Sequence, residues 1–223
     1  MASRQEYGES NSVNPPISRL TMDQAVILNS VADDTLAVQS YYDTKAIEQN
    51  ADTLAFFGPN ATKNTLTDNY QSNPLQRDTI VYGLGFDATA AIIRQAPNID
   101  PVHIANALKY GIVEFKVAGG SKTLFTHPLS QYLNTSVVPS MSALAETSIA
   151  LQTTGNVRLA QPFRLRSNAT FDLIVRLKSA AAFPTAAQWA AAGYANGVGL
   201  RATLQTVSVE EYQKMVADAK AVR

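Results

Sequence analysis

Two histidines, His103 and His127, are the only imidazoles in the chain and the first place to look for a metal or a proton shuttle. The metals that imidazole holds need several converging ligands, and two separated histidines fall short of such a set. With no cysteine in the chain, no thiolate can complete it. His103 falls in a segment that reads as a helix and His127 stands before Pro128 at a strand end, so both are expected as hydrogen-bonded structural residues. The run Gly119-Gly120-Ser121-Lys122-Thr123 has the composition of a phosphate-binding loop without its spacing. GxxxxGK followed by Ser or Thr needs a glycine directly before the lysine, where Ser121 stands, and a helix afterwards, where a strand-like segment follows. Gly119-Gly120 between two apolar-alternating runs predicts the turn of a tight hairpin instead. No GxSxG elbow presents a serine nucleophile. Asp33-Asp34 and Glu210-Glu211 are adjacent pairs, and adjacent side chains leave a strand or helix in different directions, so neither pair forms an acid–base couple by itself. No catalytic, cofactor-binding or metal-binding residue is assigned, no cofactor is expected, and the chain is not expected to be an enzyme.

Binding is a separate question. Arg164, Arg166, Arg176 and Lys178 alternate with apolar residues and would sit together on one sheet face, where they meet solvent, phosphate or the carboxylates of a neighbouring subunit. Trp189, the only tryptophan, lies in an Ala-rich turn with Tyr194 close behind, as an aromatic platform for a sugar or as a packed core residue. The three sequons at Asn60, Asn134 and Asn168 read as chance, because the polar N-terminus MASRQEYGESNSVNPP has no apolar stretch of the kind that directs secretion. No apolar run approaches the roughly 20 residues that span a bilayer.

The elements that must position these residues are mostly strands. Period-two alternation puts Ile80, Tyr82, Leu84 and Phe86 on one face of 79–86, and Val113, Phe115 and Val117 on one face of 112–117. It recurs in Phe163 and Leu165, in Phe171, Leu173, Val175 and Leu177, and in Val198, Leu200, Ala202 and Leu204. Residues 162–178 read as one hairpin turning at Ser167-Asn168. Eight strands are expected, at 35–42, 53–57, 79–86, 112–117, 122–127, 157–166, 170–178 and 198–207. Asp100-Pro101 opens a short helix that Gly111 would cap, and Thr185 begins another. Thr21 with Gln24 makes a capping box for a helix near the N-terminus; Ser208 with Glu211 makes one for a C-terminal amphipathic helix lined by Val209, Tyr212, Met215, Val216 and Ala219. The organisation is therefore an N-terminal arm and short helix (1–34), whose first 19 residues, broken by Pro15-Pro16, read as flexible; a domain over 35–207; and a C-terminal helix over 208–223. Eight antiparallel strands with long or helical connections suit a mainly β, single jelly-roll sandwich.

Composition narrows what such a domain does. Only 16% of the residues are charged, well under the roughly one quarter of ordinary soluble domains. Such a chain either buries an unusual share of its surface or covers it with uncharged polar groups, and a large interface between subunits would explain so sparse a charge. Lysines and arginines equal aspartates and glutamates at 18 each, so no overall field draws the molecule to nucleic acid or anionic lipid, and contact with membrane or genome is not indicated by charge. The charge is uneven: residues 1–50 hold three Lys and Arg against seven Asp and Glu, whereas residues 150–223 hold nine against four. Either this is ordinary variation over a solvated surface, or an acidic N-terminal part docks on a basic C-terminal part.

The order of features resembles the jelly-roll coat proteins of tail-less, membrane-containing bacteriophages. The segments that carry the resemblance are TLAFFGPNATKNTLTDNYQSNPLQRDTIVYGLGFDA, IDPVHIANALKYGIVEFKVAGGSKTLFTHPLSQYL, FRLRSNATFDLIVRLK and VGLRATLQTV, spanning roughly 53–207. That resemblance implies a virion structural protein, a self-assembling capsid subunit made in the host cytoplasm. Its partners would be copies of itself in trimers or larger assemblies, together with other capsid proteins. Many such coat proteins fuse two jelly rolls, and this chain has room for one. The alternative is a carbohydrate- or receptor-binding jelly-roll module, lectin-like or a decoration protein; an enzyme on the same fold ranks last.

Overall fold

The structure is a computed structural model that describes residues 17–19, 39–58, 75, 77–117, 122–138, 147–154, 157–167 and 169–221. The expected N-terminal helix, Asp33-Asp34 and the sequon residues Asn60 and Asn168 lie outside them. The chain is mainly β, with antiparallel sheets and a few short helices. In order, the strands are β1 (Ile17–Arg19), β2 (Gln39–Ala46), β3 (Thr53–Phe56), β4 (Thr79–Ala88), β5 (Ile92–Arg94), β6 (Ile112–Val117), β7 (Lys122–Pro128), β8 (Leu133–Val138), β9 (Ser148–Thr153), β10 (Val157–Leu165), β11 (Phe171–Arg176) and β12 (Gly199–Ser208). The helices are α1 (Pro101–Lys109), α2 (Ala186–Ala191) and α3 (Val209–Ala221).

Twelve strands among the described residues replace the eight expected, and they form three sheets, ordered β1-β10-β4-β12-β2, β3-β11-β6-β7 and β5-β9-β8. Every expected strand overlaps an observed one. The four additions escape a periodicity reading because β1 and β5 have three residues each, and LNTSVV and SIALQT in β8 and β9 do not alternate. β1 also takes residues 17–19 out of the sequence-defined flexible arm and pairs them with Phe163–Leu165 at the edge of the five-stranded sheet.

The largest correction concerns 162–178. β10 pairs with β4 and β1, while β11 pairs with β3 and β6, so the two strands belong to different sheets and make no hairpin. Alternation reveals that each strand has one apolar face; it carries no record of which strand lies beside it. β6 and β7 do pair antiparallel, with Val117 opposite Lys122, while the turn expected at Gly119-Gly120 lies outside the described residues.

The five- and four-stranded sheets face each other across an aromatic layer. Phe115 on β6 stacks on Phe171 of β11 at 5.6 Å and 5° and meets Phe163 of β10 edge-on at 5.0 Å. Phe56 meets Phe86 edge-on across the same gap at 5.9 Å. Rings at these separations gain beyond simple area burial.

β4 departs from its expected alternation. Its pairing with β12 slips by one residue between Gln205 and Thr206, which leaves Tyr82 as a bulge. Leu84, Phe86 and Ala88 enter the core cluster, but on the other side of the bulge Val81 enters it in place of Ile80. Opposite β4, β10 is irregular between Arg158 and Phe163, the stretch that holds Pro162, which cannot donate to a ladder.

The helices are capped locally. The Asp100 carboxylate accepts from the Val102 and His103 N–H groups, and Pro101 follows at the first helical position. The α1 cap is Tyr110 instead of Gly111. Gly111 serves packing: a Cβ there would lie 3.1 Å from the Leu108 carbonyl and 3.1 Å from a Leu129 methyl. Thr185 and Gln188 form the reciprocal capping box of α2, and the Ser208 Oγ accepts from the Glu211 N–H to start α3.

Candidate functional site

Each residue singled out from the sequence has a defined place. The His103 ring nitrogen Nε2 lies 3.1 Å from the Ser179 carbonyl, and the ring sits edge-on to Phe183, so it ties α1 to the segment after β11. His127 stacks on Phe125, with Nδ1 2.6 Å from the Tyr132 hydroxyl. Burial pushes the Tyr132 phenol up to about 12, so it stays protonated at every physiological pH. Among the described residues, no group of three or more His, Asp or Glu comes close enough to hold a metal. Trp189 is fully buried on α2, its Nε1 donating to the Ile47 carbonyl at 2.8 Å, so it offers no ring face to a ligand. Glu210 and Glu211 lie in the first turn of α3, where carboxylates favour the helix dipole, and Asn134 is exposed on β8.

The row of four cations is split, because its two strands lie in different sheets. Arg164 grips Asp78: its Nε donates to Oδ2 at 3.1 Å and Nη2 to the same oxygen, while the Ser167 N–H donates to Oδ1 at 2.9 Å. Burial pushes the Asp78 carboxyl up, but the Ser167 and Arg164 hydrogen bonds and the charges of Arg164 and Arg166 outweigh it and hold it below its ordinary value. The Asp78 carbonyl also accepts from Val209 N–H, so one residue fastens β4 to β10, to the start of the crossing between sheets and to α3. On the other sheet, Glu114 Oε2 accepts from Arg176 Nε and Lys116 Nζ, both at 3.2 Å. Burial raises its carboxyl and those two partners bring it below the usual value. On the outer face of the four-stranded sheet these three charges satisfy one another, with Ile112 exposed beside them; Asp172, opposite Lys116, has its carboxyl raised by burial, which the Lys116 charge offsets only in part.

On the outer face of the five-stranded sheet lies a feature that sequence reasoning missed. Leu200, Ala202 and Leu204 of β12 point into the core, which turns Arg201, Thr203 and Gln205 outward. Arg201 stands directly between Thr44 of β2 and Asp87 of β4. Its guanidinium lies over the Tyr42 ring, 5.1 Å from the centroid, and Nε donates to Thr44 Oγ1 at 3.4 Å. Around it opens a groove of about 730 Å³, with Thr44, Thr89, Gly199 and Arg201 among its floor and Tyr194 and Asn196 at its side. A recess of about 190 Å³ continues it past Asp87. Tyr194 is fixed there, its hydroxyl donating to the Ile92 carbonyl at 3.1 Å and accepting from the Arg94 N–H at 3.0 Å. The alternation of GLRATLQT announces that Arg201 faces outward; nothing local announces the loop 194–197 that walls it. No protein-family model matches the chain, and neither a curated protein nor a solved structure does.

Proposed function

We propose that the two larger sheets form an eight-stranded jelly roll and that the chain is a virion structural protein, a self-assembling capsid subunit whose main partners are further copies of itself in trimers or larger assemblies. The observation that carries this reading is strand order. Taking β2, β3, β4, β6, β7, β10, β11 and β12 as eight successive strands, the first, eighth, third and sixth lie side by side in one sheet, and the second, seventh, fourth and fifth in the other. That is the order produced when a long antiparallel hairpin is rolled into a sandwich, the arrangement shared by capsid subunits, lectin domains and cupins. β1 is then an addition beside the sixth strand, and the β5-β9-β8 sheet is built from the long connections.

Assembly is favoured over the other uses of the fold by its surface. Charge is sparse over the whole chain. Ile92, Val102, Tyr110 and Ile112 expose large apolar side chains, with Tyr110 60% accessible. On the outer face of the four-stranded sheet Glu114 already pairs with Lys116 and Arg176, so covering that part of the face leaves these three charges partnered. Size-exclusion chromatography with light scattering, followed by electron microscopy of the same fractions, tests the reading. Trimers, larger species or closed particles are expected; a strict monomer at high concentration, with no particles on the grid, overturns it.

A further inference from the structure

We infer that the Arg201 groove is a binding site for an acidic sugar, a ligand with several hydroxyls and one carboxylate. Its volume falls within the roughly 300–1,000 Å³ of small-ligand pockets. Arg201 is held in place, and among the described residues no carboxylate pairs with it. Stacking on Tyr42 fixes the plane of the guanidinium, and Thr44 takes its Nε. Asp87 is its cross-strand neighbour but forms no ion pair with it. The two terminal nitrogens therefore remain as the planar fork that matches a carboxylate.

The rest of the lining suits hydroxyls. Thr89 Oγ1 accepts from the Gly199 N–H at 2.7 Å, which leaves its own O–H to donate. Asn196, exposed at the side of the groove, offers an amide donor and acceptor. Asp87, exposed in the adjoining recess, is an acceptor for ligand hydroxyls and repels a second negative charge. One guanidinium facing one carboxylate thus favours a monoanion with hydroxyls over a phosphate dianion. The site owes nothing to Trp189, and it stands independently of self-assembly.

Saturation-transfer NMR, which reads the small ligand and tolerates large assemblies, tests this on the full chain with glucuronic acid, glucose and acetate as probes. Glucuronic acid is expected to bind, with glucose and acetate each weaker by about tenfold or more. Arg201→Gln should remove the preference for glucuronic acid over glucose. Asn196→Asp, on an exposed loop where folding is not at stake, removes an amide donor that both sugars use and adds a charge that repels only the anion, so it should weaken glucuronic acid severalfold more than glucose. The assignment is overturned if glucuronic acid gives no signal, if acetate or glucose binds as well as glucuronic acid, or if both variants bind glucuronic acid like the parent chain.

Discussion

The four-stranded and five-stranded sheets are built from the same period-two strands and treat their outer faces in opposite ways. In the four-stranded sheet Val113, Phe115 and Val117 are buried while Glu114 and Lys116 stay half-buried; the registers of β11 with β3 and β6 run without a slip, and the one shift, between Phe115 and Lys116 against β7, leaves the facing of β6 intact. In the five-stranded sheet the bulge at Tyr82 reverses the faces of β4, and the outer face is buried at one end and grooved at the other. Ile80, opposite Arg164 and Val207, points away from the second sheet, yet it is only 1% exposed. At the far end the same face opens into the Arg201 groove. One sheet presents a half-open surface centred on the Glu114 ion pairs; the other combines a second buried layer with a recess.

The largest expected effect breaks what the sheets share. Phe115→Ala removes the ring that touches Phe125, Phe171 and Phe163 at once and should cost about 3–5 kcal/mol, read from denaturant unfolding. Because the ring joins both layers, the loss should appear as one lowered transition followed by every probe; separate transitions for the two sheets would contradict the shared core. A matched pair of isoleucines then tests the difference itself. Both Ile80 and Ile174 point outward. Ile80→Ala should cost about 2–4 kcal/mol as a buried truncation, and Ile174→Ala under about 1 kcal/mol on the open sheet. Equal costs would mean that the two outer faces do not differ.

This contrast explains how much could be read beforehand. In the four-stranded sheet β6 and β11 are legible in both position and facing, because a face wetted by Glu114, Lys116 and Arg176 leaves alternation in the sequence. β3 and β7 are legible in position alone. β4 was legible only as a strand. With Thr79 to Phe86 all buried, its residues carry no polar marks to show which side each one takes, and the bulge is a property of pairing with β12. Pairing partners are likewise absent from local pattern, so β10 and β11 looked like a hairpin when they stand in opposite sheets. The groove was illegible for a related reason. Thr44, Asp87 and Arg201 come from three strands far apart in sequence and meet only through register.

The carboxylates offer a finer comparison. Asp78→Asn weakens a contact that holds Arg164 and the Ser167 N–H at the start of the crossing between sheets, and should cost about 1–2 kcal/mol. The Asp78 carboxyl lies below its ordinary value of 3.8 in the folded chain. Its stabilisation is therefore complete above that unfolded value and is lost as pH falls through the lower, folded one. Acid unfolding of the parent chain should be steeper than that of Asp78→Asn, and parallel acid limbs would remove Asp78 from this role.

Glu114→Gln should have the smallest effect. The residue accepts from two cations, but Arg176 is 48% exposed and water replaces the lost contact. Pairs on open surfaces contribute about 0–1 kcal/mol and weaken with salt. Gln keeps an oxygen that can accept one of the two hydrogen bonds, so the expected loss is under about 1 kcal/mol and should shrink further in molar salt. Its pH dependence has the same sign as that of Asp78, since the folded carboxyl is also lowered: present above the ordinary value of 4.5 and lost as pH falls through the folded one. Loss of assembly in Glu114→Gln, with monomer stability unchanged, would place the open face of the four-stranded sheet in a contact between copies. An unchanged assembly would turn attention to the exposed Tyr110, which adjoins that sheet where the chain leaves α1.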